Sequence, residues 1–156
     1  MMKKSVACVL LAAMVLLMFT ACADEANRVL DTSKLADDLL AGVVFGDELA
    51  ELPDTYIGRY YRFDSAQTAE IIIYVSTTSA TAEEFAIVTA ADIGQVDSIK
   101  EVLQKRVNDQ IAVYESYSPT EVKKLNDAKI FSSGKYVILV VADDTSGVKQ
   151  IFTDAK

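Results

Sequence analysis

Apolar positions along this chain recur with two different periods, and the changes of period mark out its elements. From Asp92 to Tyr117, Ile93, Val96, Ile99, Leu103, Val107, Ile111 and Tyr114 return at spacings of three and four, which predicts a long amphipathic helix. Asp92 can cap it, and Ser98-Ile99-Lys100-Glu101 is a second start signal of the capping-box type. Over its full length such a helix runs about 35–40 Å. Elsewhere the apolar residues are contiguous and β-branched. Ile71-Ile72-Ile73-Tyr74-Val75 within 69–76, Phe85-Ala86-Ile87-Val88 within 84–89, Lys129-Ile130-Phe131 and Tyr136 to Val141 read as strands, the first and last of them apolar on both faces.

Shorter elements fill the remainder. Asp31 is a fitting N-cap for a first helix carrying Leu35, Leu39, Leu40 and Val43, with Gly42 as its stop. Between Asp47 and Tyr61, Leu49, Leu52, Tyr56 and Tyr60 fall at helical spacing but Pro53 interrupts them, so two short helical turns are expected, the second opening at Pro53. Ser118-Pro119-Thr120-Glu121 forms a capping box for a helix ending near Asn126. Asp143 or Asp144 can cap a closing helix with Val148, Ile151 and Phe152 on one side. The expected fold is therefore α+β: a four-stranded, mainly antiparallel sheet of two hairpins, packed by a long central helix and shorter helices. With strands apolar on both faces, the second face needs the first helix, the last helix or another molecule to cover it.

The first residues have a different layout. Lys3-Lys4, an apolar run from Val6 to Phe19, and the small residues Thr20-Ala21 before Cys22 reproduce a secretory signal. The cysteine in that place resembles the lipobox of bacterial lipoproteins, with Phe19 where leucine is usual. The resemblance implies cleavage between Ala21 and Cys22, and a diacylglyceryl anchor on the Cys22 thiol. The alternatives are a plain signal cut elsewhere or a retained spanning anchor, although the run is shorter than the 18 or so residues a span needs. The expected organisation is a signal peptide over 1–21, a lipidated cysteine and short tether over 22–30, and one domain over 31–156, lipid-anchored at the extracytoplasmic face of the cell membrane.

Removal of residues 1–21 leaves 135 residues, enough for one core, with Cys22 as the remaining cysteine and no internal disulfide. The mature part carries 13 basic and 23 acidic residues, and its acidity concentrates in 22–54, where nine acids meet two bases. That balance opposes nucleic-acid binding and repels an anionic bilayer. Histidine and tryptophan are absent, which removes the commonest general base and transition-metal ligand.

No cofactor or metal site is expected, and each candidate for chemistry has a simpler account. Asp143-Asp144-Thr145-Ser146-Gly147 follows an apolar strand but matches neither a paired aspartic centre nor a calcium loop; helix capping accounts for it. Asp37-Asp38 and Asp47-Glu48 lack further ligands, and the hydroxyls of 76–81 lack a histidine to activate them. Lys100, Lys105, Arg106, Lys123 and Lys124 read as the solvated side of two helices, the alternative being a basic face that meets an acidic partner. Tyr56, Tyr60, Tyr61 and Phe63, interleaved with Arg59 and Arg62, form the densest aromatic cluster; it is either a ligand or partner patch, or partly core with surface arginines.

From about Asp31 to Phe152 the chain also resembles a family of lipoproteins of Gram-positive bacteria known as domain of unknown function 4358. The resemblance lies in Gly58 and Tyr60-Tyr61, the Ala69 to Val75 strand, Arg106 and Gln110 on the long helix, Tyr117-Ser118-Pro119, and Gly134-Lys135-Tyr136-Val137. It implies a lipoprotein with a single domain and brings no activity with it. The expected function is thus a non-enzymatic binding or accessory module that meets another envelope protein. The alternatives are a small-molecule module for transport or sensing, and a histidine-free hydrolase.

Overall fold

The structure, a computed structural model, describes residues 28–156. The signal sequence, the Ala21–Cys22 cleavage point, the lipidation of Cys22 and most of the tether lie outside the described residues. Among those described, no helix is long and apolar enough to cross a membrane.

The chain forms, in order, α1 (Thr32–Gly42), β1 (Leu49–Glu51), α2 (Asp54–Tyr60), β2 (Thr68–Ser76), β3 (Glu84–Ala90), a 3₁₀ turn (Ile93–Gln95), α3 (Val96–Tyr114), α4 (Pro119–Asn126), β4 (Lys129–Ser133), β5 (Tyr136–Val141) and α5 (Val148–Asp154). The five strands make one sheet of order β1-β2-β3-β5-β4, antiparallel at every step. The class is the expected α+β, but the sheet has five strands and not four. The additional strand is β1, in the stretch that reads as a helical turn. Leu49, Ala50 and Glu51 pair with Ser76, Val75 and Tyr74, so ladder hydrogen bonds to a long neighbour override a weak local period.

Each strand alternates its side chains between two cores. Phe85, Ile87, Ile138 and Val140 face Leu35, Leu39, Val148 and Phe152 of α1 and α5. Ala86, Val88, Val137 and Leu139 face Ile99, Leu103 and Val107 of α3, with Leu125 of α4. The contiguous apolar runs of β3 and β5 follow from this, since both faces are covered within the same chain and every residue of both strands is buried.

Capping follows the sequence at some ends and departs from it at others. Asp31 caps α1, accepting from the Lys34 amide at 2.9 Å. Asp92 instead caps the 3₁₀ turn through Gly94 (2.8 Å), and Ser98 Oγ donates to the Gln95 carbonyl, so α3 starts at Val96 and is shorter than the full periodic stretch. The capping box at Ser118 does not form: Glu121 is turned inward to accept from the Ala82 amide at 2.8 Å. Nor does either aspartate cap α5, whose N-cap is Gly147. Asp143 reaches Lys124 at 3.3 Å, and Asp144 accepts from the Ser146 amide at 2.8 Å.

Both ends of the described chain meet at one end of the sheet. Arg28 donates to the carbonyls of Phe152, Thr153 and Ala155 and lies 5.0 Å over the Phe152 ring, while the Leu30 amide donates to the Tyr136 hydroxyl.

Candidate functional site

The aromatic and arginine cluster predicted from sequence is a surface helix and the extended segment after it. Pro53 supplies the pre-set φ that opens α2, and no residue of α2 is buried. The helix is held by its flanks, Leu52 (8% exposed) before it and Tyr61 (1% exposed) after it. Tyr61 and Phe63 stack at 5.5 Å, while Tyr56 and Tyr60 remain 45% and 44% exposed. The cluster thus divides: Tyr61 belongs to the core, Phe63 is half-buried, and Tyr56, Arg59, Tyr60 and Arg62 stay on the surface.

Beneath the cluster lies a charge pair that composition does not reveal. Glu84, at the first position of central strand β3, and Arg106, in the middle of α3, meet with both Nε and Nη2 on the carboxylate, the shortest contact being 2.6 Å. Their side chains are 1% and 10% exposed. Burial works against the guanidinium charge, but Glu84 outweighs it and holds Arg106 ionised beyond an ordinary arginine. The same guanidinium lies 5.0 Å over Tyr60 and 5.4 Å over Tyr61. The Tyr61 hydroxyl is buried without a hydrogen bond of normal geometry. Burial, then the Glu84 charge, holds that phenol well above its ordinary pKa, so it stays neutral.

A second buried knot sits one residue earlier. Glu83 accepts from the amides of Gly46 and Asp47 and from Lys124 Nζ, each at 2.9 Å. Lys124 also lies 3.4 Å from Glu121 and 3.3 Å from Asp143. Burial lowers the Lys124 pKa, but its bond to Glu83 and the surrounding carboxylates outweigh this and raise it. An ammonium held charged among three carboxylates is a poor nucleophile, so this knot ties the loop before β1 to α4. Arg106 and Lys124 therefore leave the solvated basic face predicted for the two helices. Of the rest, Lys100 and Lys105 pair within α3 with Asp97 and Asp109.

Asp47, read as half of a possible cation pair, accepts from Ser76 Oγ at 2.5 Å and from Thr78 Oγ1. Those bonds, Ser76 first, keep its pKa below the usual value. A carboxylate so stabilised is a weak base for activating either hydroxyl. Among the described residues no group of three or more metal-ligating side chains is gathered.

Clefts open on both sides of the α2 segment. One, of about 470 Å³, lies between it and α3 and is lined by Arg59, Tyr60, Arg62, Gln67, Glu101 and Arg106 among others. The other, of about 540 Å³, lies between it and β2 and is walled by Ile57, Tyr61, Phe63 and Ile71. A smaller cleft of about 210 Å³ continues past Tyr60 toward Val113, Tyr114 and Tyr117. Arg59 and Arg62 make no ion pair among the described residues. Arg59 lies 5.8 Å over Tyr56.

These features define the class: a three-layer α+β domain whose long-helix face carries open clefts around an arginine-bearing aromatic helix. The chain belongs to the family described as Domain of unknown function (DUF4358), which matches residues 45–142. The matched stretch contains all five strands, α2 to α4 and the clefts, and leaves α1 and α5 outside. No curated protein and no solved structure matches the chain.

The α2 cluster could be found from sequence because aromatic and arginine residues alternate over eight positions. Glu83, Glu84, Glu121 and Lys124 could not, since each also fits a solvated surface. The one available signal is Glu83-Glu84 directly abutting an all-apolar strand, where a charge must be buried or end the strand.

Proposed function

We propose that this protein is a lipid-anchored, extracytoplasmic binding module with no catalytic activity, tethered through Cys22 and recognising another envelope component on the α2–α3 face. The observation that carries this reading is the contrast between Tyr60 and the groups beneath it. An exposed aromatic ring stacks on a buried, immobilised Arg106–Glu84 pair, with unpaired arginines beside it. Rigid aromatic and arginine groups presented at low entropic cost are the composition of recognition hot spots. Arg106 and Lys124 are each held ionised by a buried carboxylate partner, Glu84 and Glu83, an arrangement that suits a fixed recognition surface better than proton transfer. The signal-like start and the resemblance to a lipoprotein family support the placement.

The test is cross-linking in intact cells that carry the protein, followed by identification of what is captured. Wild type, Cys22→Ala and Tyr60→Ala/Arg62→Glu are compared. The expected result is one reproducible envelope component, reduced in both variants while the double variant keeps its melting temperature. A catalytic turnover abolished by one point change in a folded variant would overturn the reading. Acyl labelling of wild type but not of Cys22→Ala checks the anchor independently.

A further inference from the structure

The sheet is left unfinished along one edge. β2 has nine residues and its outer neighbour β1 has three. β1 pairs only with Tyr74–Ser76, and one further bond runs from the Leu52 amide to the Ile73 carbonyl at 2.7 Å. There the chain leaves the sheet into α2. Beyond Ile73, the outer side of β2 over 68–72 has no strand partner among the described residues. The register fixes which groups are left over. Ile73 and Thr77 direct backbone groups toward β1, so Ile71, of the same parity, directs its amide and carbonyl to the same open side. The irregularity between Thr68 and Glu70 resets the alternation there, since the Gln67 carbonyl accepts from Ala91 on the β3 side, so the open pair of backbone groups is that of Ile71. Ala69 and Glu70 are exposed, and Ile71 is half-buried.

The open edge adjoins a cleft of matching character. Ile57, Tyr61, Phe63 and Ile71 wall the space on the α3 side. Asp54 lines the cleft, where no lysine or arginine stands; Glu70, which accepts from Thr32 at 2.8 Å, and Glu51, opposite Tyr74, border the same edge on the α1 side. We propose that the edge of β2 at 68–72 accepts an extended peptide segment with basic flanks, added antiparallel to β2 as a continuation of the β1 ladder. This deepens the binding-module reading and rests on it. The peptide backbone satisfies Ile71, its apolar side chains enter the Ile57–Phe63 cleft on the α3 side, and its basic residues meet Glu51 and Glu70 on the opposite face, with Asp54 at the cleft mouth. A second copy of β2 is a poorer occupant, because it sets these acids against their own kind.

The probe is a synthetic Lys-Val-Thr-Ile-Thr-Val-Lys peptide, titrated into the intact domain with residue-resolved amide exchange as readout. Slowed exchange at Ile71 is expected, with weakening of about tenfold when the peptide amides facing β2 are N-methylated, as loss of backbone hydrogen bonds requires. The same weakening is expected for a Glu-flanked peptide and for Ile57→Asp protein; the N-methylated peptide holds even where that variant misfolds. Unchanged exchange at Ile71, or protection only of the Arg59–Arg106 cleft, overturns the proposal. In the second case the binding-module reading survives. Protection of Ile71 that grows with protein concentration and no peptide would assign the edge to self-association instead.

Discussion

The two sides of the sheet are built from the same strands and hold together differently. On the α1–α5 side no buried ion pair enters the core among the described residues: Phe85 stacks on Tyr74 at 4.8 Å and packs with Ile87, Ile138 and Val140 under Leu35, Leu39 and Phe152, and the polar groups there, Thr32, Thr89 and the Tyr136 hydroxyl, make hydrogen bonds. On the α3–α4 side the apolar core is interrupted by Glu84–Arg106 and Glu83–Lys124. Close packing is the main source of stability on the first side, where a hydrophobic set of similar volume is well tolerated. Burying ion pairs costs desolvation that their attraction only roughly offsets, so the second side carries groups that packing does not require. The clefts described here open around that second side, and the charge pairs fix the side chains that line them.

Substitutions at matched depth separate the two sides. Phe85→Ala is expected to cost about 3–5 kcal/mol, and nothing nearby can refill the space. Arg106→Ala is expected to cost a similar 3–5 kcal/mol, because it strands a buried Glu84 carboxylate. The double change Glu84→Leu/Arg106→Met should regain most of that loss, within about 1–2 kcal/mol of wild type. Denaturant titration of the four proteins decides the matter. A double variant as unstable as Arg106→Ala would show that the pair is held by geometry that apolar groups cannot replace. Next in size, Glu83→Gln should cost about 1.5–3 kcal/mol, since Lys124 loses one charged bond but keeps Glu121 and Asp143.

Alkaline pH sharpens the same comparison. Tyr61 titrates above its ordinary 10.0 because it is buried beside Glu84, and Lys124 titrates above its ordinary 10.5 because the bond to Glu83 outweighs burial. In the unfolded chain both revert. Each contribution is therefore complete below the unfolded value and is lost as pH rises from there through the folded value. Stability should fall above about pH 10. Tyr61→Phe removes the phenol's share of that fall and leaves stability near neutral pH equal or slightly higher, since it deletes an unsatisfied buried hydroxyl. A steep alkaline loss unchanged in Tyr61→Phe would place the titration elsewhere. The smallest effect belongs to the exposed Lys105–Asp109 pair: Lys105→Ala should change stability by less than about 0.5 kcal/mol.

These contrasts also explain how far the sequence could be read. Both helices over the apolar side, four of five strands and the span of α3 are legible, because their periods are long and agree with their neighbours. β1 is not, since three residues carry no period and are recruited by Tyr74–Ser76 across the ladder. The α2 cluster is visible as composition, whereas its division into Tyr61 inside and Tyr60 outside depends on where α2 ends. Arg106 and Lys124 show the limit most clearly. Each has the helical spacing of a surface residue, and only tertiary placement of Glu84 and Glu83 brings them inward. The same holds for Asp143, which fits a cap until Lys124 stands opposite it.

The clasp of Arg28 on the last turn of α5 bears on mechanics. With the tether proposed above at Cys22, any pull from the membrane would enter at the N-terminal end and reach Arg28 before any strand. Three carbonyls and the Phe152 ring take it there, spreading it into α5 and, through Leu30, to the start of β5. Thr32 passes a share on to Glu70 of β2, whereas the cleft between α2 and α3 stands off that line. On the proposed tether, a mooring of this kind lets the domain swing and be tugged while that cleft keeps its shape.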